Sequence, residues 1–217
     1  MLSVIILDSH EPSVINLTYE NLWKELKDIP GAELIVSDSW LGAIPNTKNK
    51  YVCFVEADCL VNSGYFTSQM ALFEKNKYLR KLAMLSSATA VNFWPNRFFG
   101  YSIGNDFSND IIPQKFKHSS AVYPLQIGYV PGSIIRKSML EPALKEVVGT
   151  PGIEHDIVLF STLLSIAFWG QGDGNRVHIN PNTTYVTTES YVNDLGKFGG
   201  SVKLSSGIAD IFRKECI

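Results

Sequence analysis

The stretch Tyr51-Val52-Cys53-Phe54-Val55-Glu56-Ala57-Asp58-Cys59-Leu60-Val61 decides how the chain folds. Its first five residues are apolar and mostly β-branched or aromatic, and the polar pair Asn49-Lys50 precedes them. A short run of that kind reads as a buried strand. It ends on two carboxylates one residue apart, Glu56 and Asp58. The carboxyl end of a buried strand is where an open α/β sheet keeps its ligand crevice. Paired carboxylates there suit a hard divalent cation that in turn holds phosphate oxygens. The competing reading is a strand end whose acids simply face water.

Upstream, Ser3-Val4-Ile5-Ile6-Leu7 is a first buried strand, closed by the polar turn Asp8-Ser9-His10-Glu11-Pro12. Proline is tolerated in a first helical turn, so a helix opens at Pro12 or Ser13. Val14, Leu17, Leu22, Trp23 and Leu26 recur along it at near-helical spacing. Pro30-Gly31 breaks the helix. Glu33 to Val36 is a second strand, ending on Ser37-Asp38-Ser39. Strand, helix, strand is a βαβ unit with parallel strands and a right-handed crossover. Trp40 to Lys50 reads as a loop.

Downstream, a helix is predicted from Ser63 or Gly64 to Lys77, with Phe66, Met70, Leu72 and Phe73 on its apolar side. Leu82 to Ser87 is a candidate fourth strand. Phe93 to Tyr101 is rich in aromatic residues and reads either as satellite core or as a binding wall. Asn105 to Ser120 is polar and reads as a long surface loop. Tyr123 to Lys137 reads as a strand, a Pro131-Gly132 turn and a further strand. Ser138 and Glu141 have the spacing of a capping box for a helix to Val148. Asp156 stands near the N-cap of an apolar helix from Ile157 to Trp169, which stops in the glycine-rich Gly170 to Gly174. Val177 to Pro181 is a late strand, and the remainder is polar up to a short amphipathic segment, Ile208 to Arg213.

The 217 residues fit one domain, or one domain with a small appendage, and 45% hydrophobic with 18% charged residues marks a globular chain. A net charge of −2 does not support a broad nucleic-acid footprint. Three cysteines without regular spacing point to a reducing compartment and no disulfide framework. No apolar run reaches the length of a membrane span, and no basic region precedes the first strand, so neither an anchor nor a signal peptide is expected. The expected location is cytoplasmic, in the host cytoplasm if the source is viral.

Taken in order, these parts resemble a family 2-like glycosyltransferase with a GT-A fold. Ser3 to Leu7 looks like the first nucleotide-binding strand, and Asp8 follows it on the nucleotide side. Glu33-Leu34-Ile35-Val36-Ser37-Asp38-Ser39 looks like the second strand, ending on an acid that bonds the base or ribose of a nucleotide sugar. Phe54-Val55-Glu56-Ala57-Asp58 resembles the family's D-x-D block, with Glu56 in place of its first aspartate. Glu154-His155-Asp156 resembles the acidic block that opens a helix and supplies the catalytic base, here split by His155. Gly132 fits the turn beneath the acceptor site. The chain differs from the family at Asp8 to Pro12, where a Pro-Thr-Tyr-Asn-like turn is usual. It also differs in the shortened Trp40–Lys50 stretch, which lacks the usual arginine.

The resemblance implies an α/β fold, GT-A and Rossmann-like. A mostly parallel central sheet would carry helices on both faces in a single domain. Residues 1–180 would form the nucleotide-sugar-binding and catalytic domain, and 181–217 an extension packed on or covering the active site. It implies an enzyme of the hexosyltransferase class that is metal-dependent and inverting. A sugar would pass from a nucleotide diphosphate donor, a UDP-sugar first of all, to a hydroxyl acceptor. Asp156 would be the catalytic base, with Glu154 in reserve. Asp8, Asp38, Glu56 and Asp58 would bind the donor, and Asp58 the Mn2+ or Mg2+.

Chemistry independently supports oxygen ligands for such a metal, since a diphosphate leaving group needs its growing charge neutralised. His178 is a candidate imidazole ligand, which would favour manganese; the alternative is a strand histidine satisfied within the fold. Plain capping is the alternative for Asp156 and Asp38. The acceptor can be a saccharide, a protein or a small molecule. In a viral setting it can be a hydroxymethylated DNA base, with Lys75, Lys77, Arg80 and Lys81, or Lys115, Lys117 and His118, on phosphates. Those clusters otherwise read as solvated faces. A non-catalytic nucleotide-sugar-binding module is the further alternative. A nucleotidyltransferase would need a basic, glycine-rich loop after the first strand, where this chain has Asp8-Ser9-His10-Glu11.

Overall fold

The computed structural model describes residues 1–7, 12–57, 59–75, 82–91, 97–98, 100–102, 105–106, 110–111, 123–125, 127–154, 157–171 and 177–187. The chain runs β1 (Leu2–Leu7), α1 (Pro12–Leu26), β2 (Glu33–Ser37), α2 (Trp40–Ala43), β3 (Tyr51–Glu56), β4 (Leu60–Val61), α3 (Tyr65–Lys75) and β5 (Met84–Val91). Short strands follow: β6 (Arg97–Phe98), β7 (Gly100–Ser102), β8 (Asn105–Asp106), β9 (Asp110–Ile111), β10 (Tyr123–Leu125) and β11 (Ile127–Gly128). It closes with β12 (Ile134–Arg136), α4 (Lys137–Val147), α5 (Ile157–Gly170) and β13 (Val177–Thr187).

The main sheet follows the order β10-β13-β5-β12-β3-β1-β2. β1 pairs in parallel with β2 on one side and β3 on the other, as the βαβ pattern requires. β12 runs antiparallel to both β3 and β5, so the sheet is mixed. The reversal follows from one long-range contact. The turn before β12 lies across the end of β3, where the Gly132 amide donates to the Phe54 carbonyl at 2.8 Å. From there the chain runs back down the sheet as β12. It leaves β12 directly into α4, where the Lys137 amide donates to the Lys50 carbonyl at 2.9 Å, just ahead of β3.

Alternation along the strands supplies two cores. Leu2, Val4, Ile6, Cys53 and Val55 face one way and pack with Leu22 and Leu26 of α1 and Tyr65, Phe66, Met70 and Phe73 of α3. Ile5, Val52 and Phe54 face the other way and pack with Leu140, Ala143 and Val147 of α4 and Phe160, Leu164 and Phe168 of α5. Helices therefore cover both faces of one α/β domain. Burying each large side chain from water contributes about 1.5–3 kcal/mol.

Several local expectations change. Among the described side chains of α1, Thr18, Leu22 and Leu26 are buried, at strict i, i+4 spacing, while Trp23 is 49% exposed. Trp40–Lys50 is not plain loop. The Ser39 hydroxyl accepts the Gly42 amide at 3.1 Å and caps α2, which runs into a 3-10 turn at Ile44–Asn46. The capping box at Ser138 and Glu141 is not formed. α4 starts two residues earlier than that box requires, with Arg136 at its N-cap and no side-chain cap, which places Ser138 inside the first turn. β13 runs through position 180 to Thr187, with a register shift between Asn180 and Thr184 around Pro181, which has no N–H for the ladder. The remaining aromatic cluster, most of the 105–120 segment and residues 188–217 lie outside the described residues.

Candidate active site

Strand register assembles the site. Leu7 at the end of β1 pairs with Ser37 at the end of β2 and with Glu56 at the end of β3. One row thus carries three strand ends, each about 4.8 Å from the next. β1 leads to β2 on one side, while β3 lies on its other side. That is the switch point at which open α/β sheets bind ligands beyond the strands' carboxyl ends. Asp38 follows Ser37 and is exposed. Asp8, next after Leu7, and Asp58, between Ala57 and Cys59, lie outside the described residues.

Glu56 is 3% exposed. The Tyr185 hydroxyl donates to Glu56 Oε2 at 2.9 Å and accepts the Glu56 backbone N–H at 3.2 Å. The turn beyond Glu56 closes when the Cys59 amide donates to the Glu56 carbonyl at 3.2 Å. Thr18 of α1 clamps that turn, because its hydroxyl donates to the Ala57 carbonyl and lies 3.1 Å from the Cys59 carbonyl. Asn21 accepts the Val61 amide at 3.0 Å. The backbone on both sides of Asp58 is therefore fixed by α1.

A tryptophan carries the site to the start of α5. Trp40, two residues after Asp38, packs edge-on against Phe54 at 6.1 Å and tilted against Phe160 at 6.0 Å. Its indole Nε1 donates to the Glu154 carbonyl at 3.4 Å. Glu154 itself is exposed, and His155 and Asp156 lie outside the described residues. The strand ends bearing Glu56 and Asp38 and the segment bearing Glu154 are thus brought together.

His178 is not brought to them. It shares a row with Leu85, Ile134 and Cys53, three strands from β3 and three residues below Glu56. That separation is roughly 17 Å at ordinary sheet spacings. Burial lowers its pKa to about 4, and its Nδ1 has no hydrogen-bond partner among the described residues. Among the described residues no group of three or more His, Cys, Asp or Glu could hold a metal ion. At the strand ends the described carboxylates are Glu56, which is buried, and Asp38, which is exposed. A hard cation that arrives with a diphosphate needs only one or two protein carboxylates, and oxygen donors of this kind fit it. The side chains of both lysine-rich clusters lie outside the described set.

Sequence reading missed three residues. Thr18 is visible in retrospect as the third member of the Leu22-Leu26 stripe. Tyr185 sits in Thr183-Thr184-Tyr185-Val186-Thr187, a β-branched and aromatic run that strand preference alone would mark. Nothing local in the sequence marks Trp40.

The same fold recurs among solved structures. The crystal structure of S. aureus TarS 1-349 in complex with UDP-GlcNAc matches at a TM-score of 0.55 and 12% identity, over 87% of this chain and 58% of that one. The structure of S. aureus TarS matches at 0.56 and 12%, over 91% and 38%. GalNAc-T7 with UDP, GalNAc and Mn2+ matches at 0.55 and 10%, over 86% and 43%. The chain spans between 38% and 58% of the length of these structures. At such identity the likeness is one of fold, the GT-A fold of glycosyltransferases. No family model matches the sequence, and no curated protein matches it. No helix among the described residues is long and apolar enough to cross a membrane.

Proposed function

We propose that the chain is a glycosyltransferase that moves a sugar from a nucleotide diphosphate donor, a UDP-sugar, to a hydroxyl acceptor. The observation that carries this is the single row Ser37–Leu7–Glu56, which sets three acid-bearing strand ends at the switch point of a GT-A sheet. TarS and GalNAc-T7, both solved with UDP or a UDP-sugar, support the donor class.

In this reading Asp38 bonds the base or ribose and Asp8 faces the nucleotide. Asp58, with Glu56 beside it, holds Mn2+ or Mg2+ with the diphosphate. A cation held there would supply positive charge to offset the negative charge growing on the leaving diphosphate. Asp156 takes the proton of the acceptor hydroxyl as that oxygen attacks the anomeric carbon and the bond to the diphosphate breaks. Attack from the face opposite the leaving group inverts the anomeric centre. Glu154 is the reserve base. His178, three strands away, acts as a buried neutral group of the sheet. Residues beyond 180 complete the site, since Tyr185 already reaches Glu56. Composition favours a reducing, cytoplasmic setting.

The test is Asp156→Asn. Donor binding should persist, while release of UDP by transfer or by slow donor hydrolysis should fall at least 100-fold, the scale of a general base. Wild-type turnover in that variant would move the base elsewhere. Donor binding without turnover in the wild-type chain would make it a binding module.

A further inference from the structure

The structure assigns Tyr185 as the positioning residue of the donor site: it acts through Glu56, fixing the orientation of that carboxylate before any ligand arrives. The inference rests on the donor reading above.

Two observations combine. The Tyr185 hydroxyl is used in both directions on one residue, accepting the Glu56 amide and donating to Glu56 Oε2. With its lone pair taken by the amide, the hydroxyl proton has one direction left, toward the carboxylate. The ring itself is wholly buried and comes from β13, 129 residues further along the chain.

The ring's seat is built for it. A Cβ at position 132 would stand 2.7 Å from Tyr185 Cδ2 and 2.8 Å from its Cγ. Gly132 also has a φ of 74°, a conformation that glycine adopts at no steric cost. Tyr65 donates to the Gly132 carbonyl, and that hydroxyl lies 2.7 Å from Ser87 Oγ. Gly132, the Tyr185 ring and the Glu56 carboxylate therefore form one stack. It ties the Pro131-Gly132 turn and β13 to the end of β3. Carboxylates that act at a metal or diphosphate site depend on such partners. Removing the partner typically costs roughly 10-fold to 100-fold in affinity.

The experiment is a double-mutant cycle on metal-dependent donor binding, read by thermal shift with UDP-GlcNAc, UDP-glucose and UDP-galactose, each with manganese. Tyr185→Phe keeps the ring in its seat and removes one oxygen. We expect it to fold and to bind the donor roughly tenfold more weakly, and to add nothing further in a Glu56→Ala background. Glu56→Gln, which keeps an acceptor for the phenol, should fold normally and also weaken donor binding. Equal donor affinity in Tyr185→Phe and wild type, or additive losses in the double variant, would overturn the role of Tyr185 and leave the donor site standing. Donor binding by Glu56→Gln at wild-type strength would do the same. No donor binding by the wild-type chain would overturn the site reading and the inference together.

Discussion

The indole N–H of Trp40 reaches the backbone carbonyl of Glu154 at 3.4 Å, joining positions 114 residues apart. The first follows the acid at the end of β2; the second leads into the segment that holds the proposed base. The indole also packs against Phe54 and Phe160. Trp40→Ala should therefore cost about 2–4 kcal/mol of stability in urea denaturation, the range for a large aromatic discounted for partial exposure. Turnover should fall more than donor affinity, because the segment that moves carries the base. Unchanged stability would mean that the contact holds nothing.

Gly132→Ala tests the stack under Glu56 from its other side. The new methyl would meet the Tyr185 ring and lie 2.9 Å from the Tyr65 hydroxyl. Overpacking and the left-handed backbone together predict a loss of about 2–4 kcal/mol in the same measurement. A loss below about 0.5 kcal/mol, the range of an ordinary surface change, would show that the ring is not seated there.

His178 predicts a pH dependence. Burial holds its folded pKa at about 4 against an ordinary 6.5. Above pH 6.5 the ring is neutral in both states and contributes no slope. Between pH 6.5 and 4 the unfolded chain takes up the proton and the folded chain does not, so stability falls as pH falls. The full window is worth about 3 kcal/mol. Denaturation at pH 7 and pH 4.5 should show a smaller acid loss in His178→Gln than in wild type. Equal losses would mean that the ring does not titrate in this window.

Much of this arrangement is legible in the residues, and the reasons differ from place to place. β1, β2 and β3 are short apolar runs bounded by polar turns, so their parallel pairing follows from local pattern, as does the burial of β1 and β3, while the edge strand β2 leaves Val36 44% exposed. Glu56 is visible for the same reason, as the acid that ends such a run. The direction of β12 is not local. It depends on the Gly132 amide finding the Phe54 carbonyl, a contact across 78 positions. Trp23 illustrates the opposite error: an apolar residue at helical spacing that the fold leaves half in water, while the hydroxyl of Thr18 takes the inner face because it has carbonyls to meet. Tyr185 was hidden by a threonine-rich context that reads as polar in composition and as strand in conformation. Asp38 and Glu56 share a region only because Leu7 pairs with both neighbours at once.

The central claim is a metal-dependent nucleotide-sugar site at the end of β3, and the most direct measurement is the donor-induced thermal shift of wild type and Asp58→Ala, with and without manganese. A ligand that binds only the folded state raises the melting temperature. The account predicts a shift with a UDP-sugar that requires manganese and disappears in Asp58→Ala. A manganese-dependent shift that survives in Asp58→Ala, or no shift with any nucleotide sugar at high concentration, would contradict it.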